Sequence, residues 1–289
     1  MKNLKNILLF IFVFQLGSFS YAQNSEFWSL AIFGDAGVMT APVQALRNSI
    51  ASQKVNEVFL LGDNLYNKKT ETYPMVWSPW KSAGFHFFAV AIGNHNKSHN
   101  EEVAFFGMPA EFYSFVQKGV RFIILNSDNE RSARQQASFL DQTLQQATEK
   151  QIYLAYHHPS VTLSDNHNWP ERVEFQKLVR PLIVKYQNKI TAIFNGHDHI
   201  ASLVEVNGIP LIVSGATHEY GRPKVINTND GLFQIRTLWN YSGGYYWVRL
   251  NLATAGTKTC AQFIRFDRPE VSLNVQLYPK TAGRVSNCN

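Results

Sequence analysis

Short apolar runs rich in β-branched and aromatic side chains alternate along this chain with stretches of helical period. WSLAIFGD (28–35) predicts a strand, PVQALRNSIASQ (42–53) an amphipathic helix and EVFLLGD (57–63) a second strand. Together they predict a βαβ unit with a right-handed crossover. FHFFAVAIGN (85–94) predicts a third strand, and EFYSFVQKGVRFIILNS (111–127) a hairpin turning at Lys118–Gly119. Residues 133–150 predict a helix, QIYLAYHH (151–158) a strand, 171–187 a helix broken near Pro181, and ITAIFNGH (190–197) another strand. From about residue 200 short strands dominate: SLVEVNG, IPLIVSG, YYWVRLNLA, AQFIRF and SLNVQLY. A chain that is α/β first and β-rich later predicts an α/β fold, two sheets packed face to face with helices outside. No linker-like stretch and no fixed repeat interrupts it, so one domain is expected.

The first residues stand apart. Lys2 and Lys5 precede a short apolar block, Ile7–Phe14, and SYA-Q at 20–23 offers a small residue before a break. This pattern predicts a secretory signal peptide over 1–22, cleaved after Ala22. The block is shorter than the roughly 20 residues a membrane-spanning helix needs, and no cysteine follows it for a lipid anchor. The expected product, 23–289, is soluble and either secreted or periplasmic, with no membrane contact after cleavage. Loss of the two lysines lowers the formal charge from +6 to +4, a mild bias toward anionic ligands. No basic run interleaved with aromatics is present, so no nucleic-acid binding is expected. Cys260 and Cys288, in an oxidising compartment, are expected to pair.

Five apolar runs end in the same manner, at Asp35, Asp63, Asn94, His157 and His197. In sheets of this kind strand carboxyl ends share one edge, where ligands bind. Carboxylates, imidazoles and an amide without thiolates suit Fe, Mn or Zn. The set exceeds the four donors of one tetrahedral zinc, and two ions sharing a carboxylate fit it better. His197 and His199 are spaced i, i+2, so extended backbone would send both to one side, one imidazole for each ion. Asp198 would then point away as a turn or supporting residue.

The series GDAG (34–37), GDNLY (62–66), GNHN (93–96), LAYHHP (154–159) and GHDH (196–199) resembles the calcineurin-like metallophosphoesterases. More narrowly it resembles the purple acid phosphatases of the small, tartrate-resistant type, over about Trp28 to Thr217. Tyr66, three positions after the second motif aspartate, carries the narrower likeness. The resemblance implies a four-layer αββα sandwich with two mixed sheets over 23–289. It implies that Asp63 bridges two ions, that Asp35, Tyr66 and His199 complete an Fe(III) site, and that Asn94, His157 and His197 hold a divalent Fe, Zn or Mn. His95 matches the histidine that stabilises the transition state or protonates the leaving group. His158 and His167 are candidates for substrate contact or acid catalysis, and His218 for substrate binding, while His86 and His99 are read as structural.

One position departs from the family. Asn96 stands where Asp or Glu usually follows GNH, so His95 has a neutral acceptor beside it in place of a carboxylate. The activity implied is metal-dependent hydrolysis of phosphomonoesters by metal-activated hydroxide, on a small molecule, a nucleotide or a phosphoprotein. A phosphodiesterase or nucleotide hydrolase on the same scaffold is the first alternative. A secreted iron-binding protein without turnover is the second.

Overall fold

The computed structural model describes residues 27–165, 167, 171–241, 243–253, 258–268, 270–281 and 284–288. The expected signal peptide lies outside these residues. Strands β1 (Phe27–Phe33), β2 (Glu57–Leu60) and β3 (His86–Val90) pair in parallel, linked by α1 (Ala41–Ser52) and α2 (Tyr73–Ser82). After α3 (His99–Phe106) a second sheet begins with the hairpin β4 (Tyr113–Gln117) and β5 (Val120–Ile124). Lys118 and Gly119 turn it, both at positive φ, as the sequence predicts. Through α4 (Ala133–Gln146) the chain reaches β6 (Gln151–Ala155), and through α5 (Val173–Lys185) it reaches β7 (Ala192–Asn195). The sheet is completed by β8 (Ala201–Val206), β9 (Ile209–Ser214), β10 (Asn227–Asn229) and β11 (Gln234–Tyr241). The last strands, β12 (Tyr246–Ala253), β13 (Thr259–Arg265), β14 (Glu270–Thr281) and β15 (Arg284–Asn287), return to the first sheet. The orders are β15-β14-β13-β12-β1-β2-β3 and β10-β11-β8-β9-β7-β6-β5-β4, both mixed.

Strand alternation builds the layers. On β1, Leu30 and Ile32 enter a core shared with Phe122, Tyr153 and Phe194 of the second sheet. Their neighbours Ala31 and Phe33 point the other way, against Leu46 and Ile50 of α1 and Trp77 and Trp80 of α2. On β5, Phe122 and Ile124 likewise face inward, while Ile123 packs on Leu140 of α4 and Phe175 and Val179 of α5. Period-two burial on both faces makes two sheets face to face with helices on each outer side. Each large apolar side chain so buried contributes about 1.5–3 kcal/mol.

Three local expectations are corrected. The helix over 171–187 is not broken at Pro181: α5 runs through it, because Phe175, Val179 and Ile183 stay on one buried face either side of the proline. The first predicted helix of the second sheet stops at Gln146, four residues short of Lys150. The helix α2 has no counterpart in the predicted elements, since Pro74 and Pro79 disguise its period. Thr72 caps it by accepting from the Met75 N–H, and Pro74 occupies its first turn, where no N–H is needed. Cys260, on β13, forms a disulfide with Cys288 after β15, Cα atoms 6.0 Å apart.

Candidate metal centre

Each candidate ligand lies two to six residues past the end of its strand, at the sheets' carboxyl edge. Asp35, Asp63, Tyr66 and Asn94 follow β1, β2 and β3 of one sheet; His157, His197 and His199 follow β6 and β7 of the other. Two glycines let these loops close on one another. Gly62, at φ +98°, faces the His157 ring, which any Cβ there would strike, and a Cβ on Gly93 would overlap Asp63. Among described non-glycine residues eight have positive φ, and Asp35, Asp63, His197 and His199 are four of them. Backbone strain therefore concentrates where the ligands are.

The left-handed backbone also corrects the expectation of an extended 197–199 segment: His197 has φ 69° and His199 φ 46°. The two rings still part company. His199 joins Asp35 and Asp63, with ligand atoms within 4.8 Å of one another, whereas His197 joins His157 and His158 in a second such group. The Tyr66 hydroxyl closes the first group, 3.1 Å from Asp35 Oδ1, 3.1 Å from Asp63 Oδ2 and 2.9 Å from His199 Nε2. Burial and then the two carboxylates push the Tyr66 phenol well above its usual range, so it keeps its proton unless a cation offsets those charges.

In the second group His157 Nδ1 donates to the Leu61 carbonyl at 2.8 Å, which turns Nε2 toward Asp63 Oδ1 at 3.2 Å. That contact is an ion-pair distance but forms no hydrogen bond, leaving His157 Nε2 a buried polar atom without a hydrogen-bond partner. Burial disfavours the charged pair, yet their attraction prevails. Asp63 sits below the usual carboxylate range and His157 is raised to about 9. The neighbouring His95 N–H also donates to Asp63 Oδ1, at 2.8 Å. Asn94 Oδ1 is likewise buried and unpartnered. Orphaned buried polar atoms cost about 1–3 kcal/mol each. Together with the clustered carboxylates and imidazoles, these two atoms make a donor set that suits a pair of borderline-hard ions.

The other predicted residues distribute around this cage. His95 stacks on Tyr66, ring centroids 4.4 Å apart, and His218 lies 4.5 Å from the same ring. The His218 Nδ1–H donates to the Asp35 carbonyl. His167 packs against His197 at 3.9 Å. Asn96 does not serve His95: its amide donates to the Gly93 carbonyl at 2.6 Å. His158 is a correction. Arg172 Nε donates to its Nε2 at 3.0 Å, so Nδ1 carries the proton and meets Ser127 Oγ at 2.9 Å. With both nitrogens engaged and the ring buried, His158 backs His157 and His197 and does not offer a proton to substrate. Asp198 is buried and accepts from the Leu163 N–H at 3.1 Å, tying down the loop before His167; burial pushes it to about 8.

Sequence reasoning did not single out Glu171. Its Oε2 lies 2.6 Å from His197 Nε2 and its Oε1 3.3 Å from His167 Nδ1. The His197 bond holds Glu171 below the usual carboxylate range. The i, i+4 spacing to His167 is the only signal the chain carries for it.

No family model and no curated protein matches the chain. Solved structures do. The purple acid phosphatase PPD1 from yellow lupin (Lupinus luteus) seeds superposes with a TM-score of 0.69 at 15% identity, over 86% of this chain and 53% of that one. A dimetal phosphatase from Danio rerio gives 0.59 at 13%, over 86% and 98%. GAP50, the anchor in the inner membrane complex of Plasmodium, gives 0.66 at 14%, over 86% and 88%. The fold is the metallophosphoesterase sandwich. Relative to the lupin phosphatase the chain spans about half the length. In that metallophosphoesterase frame the αββα layers converge on the loop edge that carries the Asp, Asn, Tyr and His cage.

Proposed function

We propose that this chain is a two-metal phosphomonoesterase resembling the purple acid phosphatases. The observation that carries the reading is the pair of donor groups meeting near Asp63: Asp35, Tyr66 and His199 on one side, His157 and His197 on the other, with Asn94, whose buried Oδ1 has no partner, assigned to the second by the resemblance. The resemblance to the purple acid phosphatases implies Fe(III) for the first set and a divalent Fe, Zn or Mn for the second. Bound cations at such a site neutralise phosphate charge and acidify water. The chain's own part is positioning. Leu61 fixes which nitrogen His157 presents, and the His95 N–H and the glycine-packed loops hold Asp63 in place. His95 and His167 flank the cage, where an imidazole can hold a phosphate oxygen or pass a proton to a leaving group.

Turnover of an aryl phosphate by protein reconstituted with iron and zinc tests this; no hydrolysis at acidic or neutral pH would remove it. A diester assayed beside the monoester separates a phosphodiesterase or nucleotide hydrolase on the same scaffold. The likeness to a protein described as an anchor supports a second reading, metal binding without turnover. That reading predicts tight ion binding and no hydrolysis of either ester. We also propose that residues 23–289 form one exported domain, secreted or periplasmic; the Cys260–Cys288 disulfide supports an oxidising compartment.

A further inference from the structure

One carboxylate outside the expected ligand set grips two site histidines. Glu171 reaches His197 Nε2 at 2.6 Å with one oxygen and His167 Nδ1 at 3.3 Å with the other. The rings it touches are packed together, centroids 3.9 Å apart. Its own location is fixed by its neighbour. Arg172, left-handed at φ 53° before α5, pairs with Asp128 at 2.7 Å and donates to His158 Nε2 at 3.0 Å. The Arg172 carbonyl also accepts from the Gln176 N–H at 2.9 Å. Adjacent residues thus hold three imidazoles from two sides, Glu171 on His167 and His197, Arg172 on His158.

An ionised carboxylate only accepts, so the proton of His197 resides on Nε2 and the nitrogen left over is Nδ1. We propose that Glu171 is a positioning residue whose single carboxylate orients His197 and His167 together, so that His197 offers Nδ1 to a cation. The inference rests on the two-metal reading of the site. The carboxylate that the resemblance places at position 96, beside His95, is here an amide bonded to Gly93, and Glu171 serves different histidines. His157 differs in kind: a backbone carbonyl holds its Nδ1, and Nε2 faces the cage. The two imidazoles of the second group therefore present opposite nitrogens.

The experiment is zinc titration of the ion-stripped full chain by calorimetry, with imidazole nitrogen NMR on the zinc-loaded protein. The unaltered chain is expected to show His197 coordinated through Nδ1. Glu171→Gln and Glu171→Ala are expected to weaken zinc about 10–100-fold, the usual loss on removing such a support. Glu174→Gln, exposed in the first turn of α5 three residues on, serves as the control and leaves affinity unchanged. Circular dichroism confirms that each variant is folded. Coordination of His197 through Nε2, zinc bound directly by the Glu171 carboxylate, or unchanged affinity in both Glu171 variants overturns the proposal while the two-metal reading stands. Failure of the unaltered chain to bind zinc or iron overturns both.

Discussion

The Tyr66 hydroxyl lies 2.9 Å from His199 Nε2, although 133 residues separate them in the chain. Tyr66 leaves β2 in one sheet and His199 follows β7 in the other, so the contact exists only once the two sheets are aligned. With Asp35 and Asp63 each 3.1 Å from the same oxygen, the phenol is surrounded by ligand atoms.

If the proposed Fe(III) site forms, this phenol would be one of its ligands, and a phenolate–iron bond absorbs visible light. Iron-loaded protein is expected to be coloured, and Tyr66→Phe to lose the band while keeping the fold. Absorption spectra of both proteins at equal iron content decide it; a band that survives in Tyr66→Phe assigns the colour to another group.

Ion removal should weaken the fold measurably. A ligand present at about 100 times its Kd stabilises by about 2.7 kcal/mol, and a protein of this size changes Tm by about 2–4 °C per kcal/mol. Chelation is therefore expected to lower Tm by about 5–10 °C in scanning calorimetry. Asp63→Asn, which removes the carboxylate common to both groups, should show little of this difference.

Behind the cage, Glu102 of α3 is buried and accepts from Asn64 Nδ2 at 2.6 Å and the Tyr73 hydroxyl at 3.2 Å. Burial outweighs those bonds and pushes its carboxyl to about 8. A carboxyl raised on folding contributes stability that is complete below its unfolded value, about 4.5, and lost as pH climbs through 8. Between pH 5 and 8 the protein should lose a few kcal/mol that Glu102→Gln, neutral throughout, does not lose. Denaturant titrations at both pH values compare the two; parallel losses refute the assignment.

The disulfide joins cysteines 28 residues apart. By the chain-entropy relation a loop of that length is worth about 3–4 kcal/mol. Cys288→Ser should lower unfolding free energy by that amount without altering zinc affinity, since the bridge lies on the outer strands β13–β15, away from the loop edge.

Much of the cage was legible because its residues punctuate apolar runs. Asp35, Asp63, Asn94, His157 and His197 each end a strand whose period is clear, and strand ends converge by topology alone. What was hidden depends on loop geometry. Glu171 and Arg172 read as the first residues of the helix over 171–187 but lie just before α5, so nothing local reveals that they face His197 and His158. The sequence shows His158 as a second histidine beside a ligand, but only the placement of Ser127 and Arg172 turns its ring inward. Helix α2 stayed unread because its two prolines argue against a helix until Trp77 and Trp80 have a sheet to pack on.

Half the cage hangs from β1, β2 and β3 and half from β6 and β7. A cation pair held there would work as a rivet through the sandwich. Sliding one sheet past the other by the width of a single bond would leave helix content untouched yet pull the halves of the cage apart. Ion affinity is thus the finest available gauge of how the two sheets are seated, and mutations deep among Phe59, Phe122 and Phe194 should register there before they register in any spectrum of secondary structure.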